Sequence, residues 1–314
     1  MKGILKVMGI IIGLTIIFIG VSYINHRIHL SKEDKLFVPN GEMVEVNGHQ
    51  MHIYTEGRGD KTLVFMSGGG TCSPTLDFKS LYSLLSDKYR IVVVEKAGYG
   101  FSDVVDIDRD IDNILSETRE ALLKAEISVP YILCSHSMSG IEALYWAQKY
   151  PDEVTAIIGL DMAVPESYEK YNINIPLIKL SAFAANAGIT RWIPGIWESD
   201  AIRYGTLTDE EKELYKAVFY RRTATKTMLN EVQQIKKNAS IVKENGIPNV
   251  PILMFSSNGQ GTGWNENEWR VFHKNYMEST QGGDMVNLNC SHYVHDIEYK
   301  KIADETKKII ESLN

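Results

Sequence analysis

The chain has 314 residues, 44% of them hydrophobic and 23% charged, which fits an ordinary globular protein and excludes a disordered one. A formal net charge of -7, with no cluster of Lys and Arg, excludes nucleic acid as a main partner, because a phosphate backbone demands clustered cations. Three cysteines, Cys72, Cys134 and Cys290, are too few and too scattered for a disulfide framework or a zinc site. They read as free thiols in or near a core, with a redox-sensitive Cys72–Cys290 pair as the alternative.

Residues 1–30 stand apart from the globular remainder. Val7 to Ile24 reads VMGIIIGLTIIFIGVSYI, without a charge and about long enough to cross a bilayer as a helix. Lys2 and Lys6 precede it as the basic head of a signal peptide or signal anchor. Gly20 and Ser22 could flank a cleavage site, but the run is long for a signal peptide, so an uncleaved single span is expected. The remainder is expected outside the cytoplasm, although Arg27, Lys32 and Lys35 balance the head lysines and leave the orientation open.

A polar linker follows over residues 31–40. Met43–Val46 and His49–Tyr54 then alternate around Asn47-Gly48, a two-residue hairpin signal. The short apolar runs Thr62–Met66, Ile91–Glu95, Tyr131–Cys134, Ala156–Leu160 and Ile252–Phe255 suit strands buried on both faces of a parallel sheet. Between them, residues 110–125 put Ile111, Ile114, Leu115 and Leu122 on one helical stripe, and residues 139–150 read as a helix stopped by Pro151. This alternation predicts an α/β domain over 31–163 and 248–314, with its site at the carboxyl ends of the strands. Residues 164–247 lack a convincing strand. Thr208 to Glu211 is a capping box, and Leu214, Val218, Met228, Val232 and Ile235 follow at helical spacing, so a helical cap is expected there.

The chemistry centres on Ser135-His136-Ser137-Met138-Ser139-Gly140, which leaves one predicted strand and opens a helix. A nucleophile elbow needs such a turn, with small residues two places either side of the nucleophile, here Ser137. A serine-rich helix cap is the plainer reading. Developing negative charge on a substrate needs donors. The strand Thr62–Met66 ends in Ser67-Gly68-Gly69-Gly70, so the N–H of Gly69 or Gly70, with that of Met138, is expected to form the oxyanion hole. A phosphate loop is disfavoured because the Gly-Lys-Ser/Thr ending is missing.

His292 follows the last predicted strand, Met285–Leu288, where the base of a Ser…Asp…His order belongs; His295 is its competitor. His136 should turn away from Ser137, and His49 and His52 read as strand residues rather than metal ligands. The loop Ser256-Ser257-Asn258-Gly259-Gln260-Gly261 holds no carboxylate, whereas the strand before the helical block ends in Asp161. Asp161 is therefore the expected acid, orienting the imidazole, with a plain helix cap as its bland reading and Glu266 and Glu268 as fallbacks.

Four motifs together resemble the α/β-hydrolase fold-1 family of esterases and lipases, from about Val46 to the end. LVFMSGGG is similar to the oxyanion strand, with Ser67 where the family usually has His. VVVEKAGYGFSD resembles the DR-x-G-x-G-x-S turn, CSHSMSG the GHSMGG elbow, and NCSHYVHD the GSGHYI segment bearing the base. The resemblance implies a mostly parallel sheet with helices on both faces and a cap, a triad acid after strand 6, and no metal or organic cofactor. Serine at 137 argues against the epoxide hydrolase and haloalkane dehalogenase branches, which use Asp there.

The expected function is hydrolysis of carboxylic esters through an acyl-enzyme on Ser137. Trp192, Trp197, Phe219 and Tyr220 suggest an apolar, lipid-derived substrate, although ordinary packing explains them equally. An amidase or peptidase of the same fold, and an inactive membrane-tethered binding protein, are the alternatives. Oligomeric state is not readable from the sequence.

Overall fold

The computed structural model describes residues 2–280 and 282–313. A single sheet holds β1 (Glu42–Val46), β2 (His49–Glu56), β3 (Thr62–Met66), β4 (Arg90–Glu95), β5 (Tyr131–His136), β6 (Val154–Leu160), β7 (Ile252–Ser256) and β8 (Gly283–Asn287) in the order β1-β2-β4-β3-β5-β6-β7-β8. β1 and β2 form the hairpin around Asn47-Gly48, both residues at positive φ as that tight turn requires. β2 is antiparallel to β4, and the strands from β4 to β8 run parallel.

Helices α1 (Lys2–Glu33), α2 (Pro74–Asp77), α3 (Lys79–Tyr82), α4 (Ile111–Lys124) and α5 (Ser139–Lys149) precede β6. Then come α6 (Pro165–Glu169), α7 (Ile175–Asn186), α8 (Asp200–Arg203), α9 (Asp209–Arg222) and α10 (Lys226–Glu244), all before β7. The fold closes with α11 (Glu266–Glu278), α12 (Val294–Ile297) and α13 (Tyr299–Ser312).

The unbroken apolar runs of the central strands follow from burial on both faces. Val64, Val92, Leu133, Ile157 and Met254 share one core with residues of α4 and α5. Their strand neighbours Phe65, Val93, Cys134, Ile158 and Phe255 share another with residues of α3 and α13. Alternate residues point to opposite faces, so a strand roofed on both sides must be apolar at every position. Burying a side chain such as Phe65 contributes about 1.5–3 kcal/mol, and a polar residue there would forfeit it. Asp110 caps α4 by accepting from the Asn113 N–H at 2.8 Å, and Ile111, Ile114, Leu115 and Leu122 are buried, as the stripe predicts.

No strand occurs between β6 and β7 among the described residues. The capping box at the start of α9 is formed, with the Thr208 N–H donating to Glu211 at 2.9 Å. α10 is held to the sheet through buried Glu231, which pairs with Lys96 at 2.5 Å and accepts from the Tyr99 hydroxyl at 3.0 Å. Helix α1 is long and apolar enough to cross a membrane, and most of its hydrophobic side chains from Ile4 to Val21 are exposed.

Candidate active site

Three strand ends meet at one edge of the sheet. β5 gives way to α5 through Ser137, whose φ of 53° places a non-glycine residue in the left-handed region. Such a turn costs of order 1–3 kcal/mol and persists only where its surroundings hold it. Here Ser139 donates its hydroxyl to the carbonyl of Met66 at 2.6 Å, tying the turn to the end of β3. That contact explains a serine where the family usually has glycine. Gly68 is needed for space, since a Cβ on it would lie 2.6 Å from Cβ of Ser137.

Ser137, His292 and Asp161 are brought together in one chain of hydrogen bonds. Ser137 Oγ lies 2.7 Å from His292 Nε2, and His292 Nδ1 lies 2.6 Å from Asp161 Oδ2. Asp161 follows β6 directly, is fully buried, and has a φ of 53°. Its other oxygen accepts from the Ser257 N–H at 2.7 Å and from the Trp269 indole N–H at 2.8 Å. Burial alone would raise this carboxyl. The His292 hydrogen bond and charge, with His273 and the Ser257 N–H, hold it below the usual carboxylate value. It stays an anion beneath an imidazole, which favours the Nδ1–H tautomer and leaves Nε2 free to take a proton.

His295, the competing base, is fully buried against Phe78 and His136, away from the serine hydroxyl. The His136 ring packs on His292 at 4.6 Å between centroids, with Nε2 3.2 Å from the His292 carbonyl oxygen. Burial, and the charges of His292 and His295, push its pKa well down, so it serves as a neutral floor. Glu266 and Glu268 lie in the first turn of α11, where the Glu268 N–H bonds the cap Asn265 at 3.0 Å. His52 is buried on Glu95, and His49 lies 3.6 Å from Glu117. Among the described residues no group of three or more His, Cys, Asp or Glu is arranged to hold a metal. Cys72, Cys134 and Cys290 are free and buried, so the alternative of a Cys72–Cys290 pair is not realised.

Ser137 and His292 open onto a cavity of about 530 Å³, which Gly69, Gly70 and Met138 also line. No Asp, Glu, Lys or Arg is among its described lining residues; its walls are mainly apolar, with Tyr168, Ile173, Leu177, Ile235 and Trp264 prominent. The four aromatics singled out from the sequence are elsewhere, which is a correction. Trp197 and Phe219 line a separate 280 Å³ cavity beside Cys72, Tyr220 lines one beside α1, and Trp192 is exposed next to Phe18. Tyr168, Tyr171 and Trp264 were missed, as were Trp269 and His273. The helical spacing of Trp269, His273 and Tyr276 signals a buried face, but not its acidic partner.

This sheet, with a serine at the strand–helix turn, defines the class. The chain belongs to the α/β-hydrolase fold family. It is 42% identical over 242 residues to the uncharacterized protein YbdG of Bacillus subtilis, a match spanning 76% of this chain and 74% of that one. Epoxide hydrolase VrEH1 from Vigna radiata superposes with a TM-score of 0.68 at 16% identity, over 86% of this chain and 97% of its own. The candidate lipase Lip1 of Acinetobacter baumannii AYE does so at 0.65 and 14%, over 92% and 96%. At these identities the structural likeness is one of fold. No protein-family model matches the chain.

Proposed function

We propose that this protein is a serine hydrolase that cleaves carboxylic esters with apolar acyl groups and is held at a membrane by α1. The observation that carries the reading is the chain Ser137–His292–Asp161, at 2.7 and 2.6 Å, opening into a cavity whose described lining holds no Asp, Glu, Lys or Arg. In the proposed reaction Ser137 Oγ attacks the ester carbonyl carbon while His292 Nε2 takes its proton. The carbonyl π electrons move to oxygen, which the N–H groups of Met138 and of Gly69 or Gly70 receive. Asp161 stabilises the imidazolium. On collapse the C–O bond to the alcohol breaks, and Nε2 returns the proton to the leaving oxygen. Water then repeats the sequence on the acyl-enzyme and frees the acid. Residues 164–247 act as the cap, and Tyr168, Ile173 and Leu177 supply the acyl wall. The absence of carboxylates from the described lining favours an ester over a peptide bearing a free amine, since nothing there pairs with an ammonium.

The test is labelling of the full-length protein with a fluorophosphonate, followed by sequencing of the labelled peptide. Modification at Ser137, lost in Ser137→Ala and slowed in Asp161→Asn, is the expected result. A folded protein that takes no label would sink the proposal.

A further inference from the structure

Helix α1 is built into the fold rather than trailing from it. Its last turns pack on the short turn Ile189–Trp192, which joins α7 to the segment before α8. Trp192 donates its indole N–H to Ser22 Oγ at 2.9 Å, and its ring lies 6.2 Å from that of Phe18. One to three turns further along, Arg191 forms a paired contact with the Glu33 carboxylate at 2.8 Å and donates to His26 Nδ1 at 2.9 Å. Arg221 bonds the Leu30 carbonyl at 3.0 Å and Asp34 at 2.8 Å. Gly188, at a φ of 73°, permits this approach, because a Cβ there would collide with His26.

The order of these contacts fixes a height. The aromatic contact falls within the last part of the apolar run Val7–Ile24, Arg191 meets His26 just beyond its end, and the ion pairs at Glu33 and Asp34 lie about 14 Å past that end along the helix. Phe18 to Ile24 spans about 9 Å at the helical rise per residue, so Trp192 stands at the depth where indoles favour the border between acyl chains and headgroups. Helix α7 packs against the same turn. It is a bare apolar surface: Leu177, Leu180 and Phe183, with Trp192 and Ile193 beyond, are 49–62% exposed. Its only charge is Lys179, whose long stem can carry the ammonium to the headgroups. Leu177 and Ile178 of this helix also line the cavity that holds Ser137.

We infer that the α7 face and the Ile189–Trp192 turn lie in the same lipid leaflet as the C-terminal end of α1, so that the cavity takes its substrate directly from the bilayer. The occupant of this face is the acyl region of the leaflet, since the face is continuous with a helix that belongs there. The substrate class is then a membrane-resident ester whose acyl chain passes along α7 to Ser137. This part rests on the hydrolase reading, and the seating of the face on the reading of α1 as a membrane helix.

The experiment uses the full-length protein in phosphatidylcholine–phosphatidylglycerol vesicles. The native thiols are buried, so single cysteines at Leu180→Cys and Phe183→Cys can carry an environment-sensitive dye. Ile17→Cys in α1 and Leu123→Cys on α4 serve as the lipid-facing and water-facing controls. Nitroxide-labelled lipid should quench the dye at 180 and 183 as it does at 17, and leave 123 bright. Bright dyes at 180 and 183 beside a quenched 17 would overturn the inference, whatever the activity. In the second arm, Leu180→Asp and Phe183→Asp should slow hydrolysis of a vesicle-borne monoacylglycerol by about tenfold or more, as a charge placed in lipid demands. Hydrolysis of a soluble short-chain nitrophenyl ester should be retained. Equal loss on both substrates would overturn the bilayer route. Failure of the parent protein to cleave either ester or take a fluorophosphonate would instead defeat the hydrolase reading and with it the substrate route, while the quenching pattern would still decide where the face sits.

Discussion

Two fully buried carboxylates stand at the ends of β4 and β6, with β3 and β5 between them in the sheet, each bonded to an imidazole, and only that at β6 leads to the cavity described above. Glu95 ends β4 and bonds His52 Nδ1 at 2.9 Å, the Phe101 N–H at 2.7 Å and the Thr75 hydroxyl at 2.9 Å. Asp161 follows β6 and bonds His292 Nδ1, the Ser257 N–H and the Trp269 indole. In both, burial opposes ionisation, while the imidazole and the N–H donors reverse it and hold the group below its ordinary value. What separates them is the far side of the imidazole. His52 is wholly buried, its Nε2 has no partner among the described residues, and a Cβ on Gly41 would meet it at 2.7 Å. His292 reaches Ser137 and lines the cavity. A carboxylate–imidazole pair is therefore not a signature of chemistry until the second nitrogen has a group to take a proton from.

Substitutions can break this contrast. Ser137→Ala should cost about 10⁶-fold in kcat, read as initial rates on a short-chain ester, because a triad whose nucleophile is gone retains only binding and oxyanion stabilisation. Asp161→Asn should cost about 10⁴-fold, since the amide no longer enforces the Nδ1–H tautomer. A loss below tenfold would remove Asp161 from the proposed mechanism.

At the other pair the currency is stability. Glu95→Gln should destabilise the fold by about 3–5 kcal/mol, as breaking a buried pair does, while kcat of the folded fraction stays near that of the parent. Chemical denaturation in detergent micelles, run alongside the ester assay, checks both halves. The difference should shrink in acid. Glu95 is depressed in the folded state, so its contribution is present above its unfolded value near 4 and is lost as pH falls through its lower folded value. Denaturation midpoints of parent and variant that stay equally far apart from pH 7 to pH 3 would count against the assignment. The smallest effect expected is that of Trp269→Phe. It removes one charge-assisted donor to Asp161, of about 1.5–3 kcal/mol, and should slow turnover about tenfold or somewhat more without changing the labelled residue.

Much of this arrangement is legible in the sequence because it obeys local rules. Unbroken apolar runs report strands roofed on both faces, and the turn after Tyr131–Cys134 is marked by small residues that must lie close to β3. Asp161 could be picked out because a carboxylate directly after an apolar strand has one strand end to occupy. The cavity wall was not legible. Trp264 follows the loop Gly259–Gly263, where no periodicity exists, and it reaches the cavity with Tyr171, whose ring a Cβ on Gly263 would meet at 2.8 Å. The aromatics of α9 and of the segment before α8 misled because an aromatic side chain in the proposed cap seeks burial, and the sequence does not say against what. Trp192 owes its place to Ser22, some 170 residues away in the chain.

One short segment has a consequence for how such proteins can change. Residues 161–163 carry the proposed acid, and the Ala163 N–H donates to the Ser137 carbonyl at 2.7 Å, two residues before α6 begins. A Cβ on Gly140 would strike the Ala163 carbonyl, so the same three residues are wedged against the start of α5. An acid after β7 would leave the helices between β6 and β7 free to be exchanged as a module. Here their first anchoring point is part of the hydrogen-bonded chain Ser137–His292–Asp161. Grafting another protein's helical insert at this boundary would disturb Asp161 and the Ser137 turn together, so on the proposed reading a new acyl preference is more readily reached by single substitutions along α7 than by wholesale recombination.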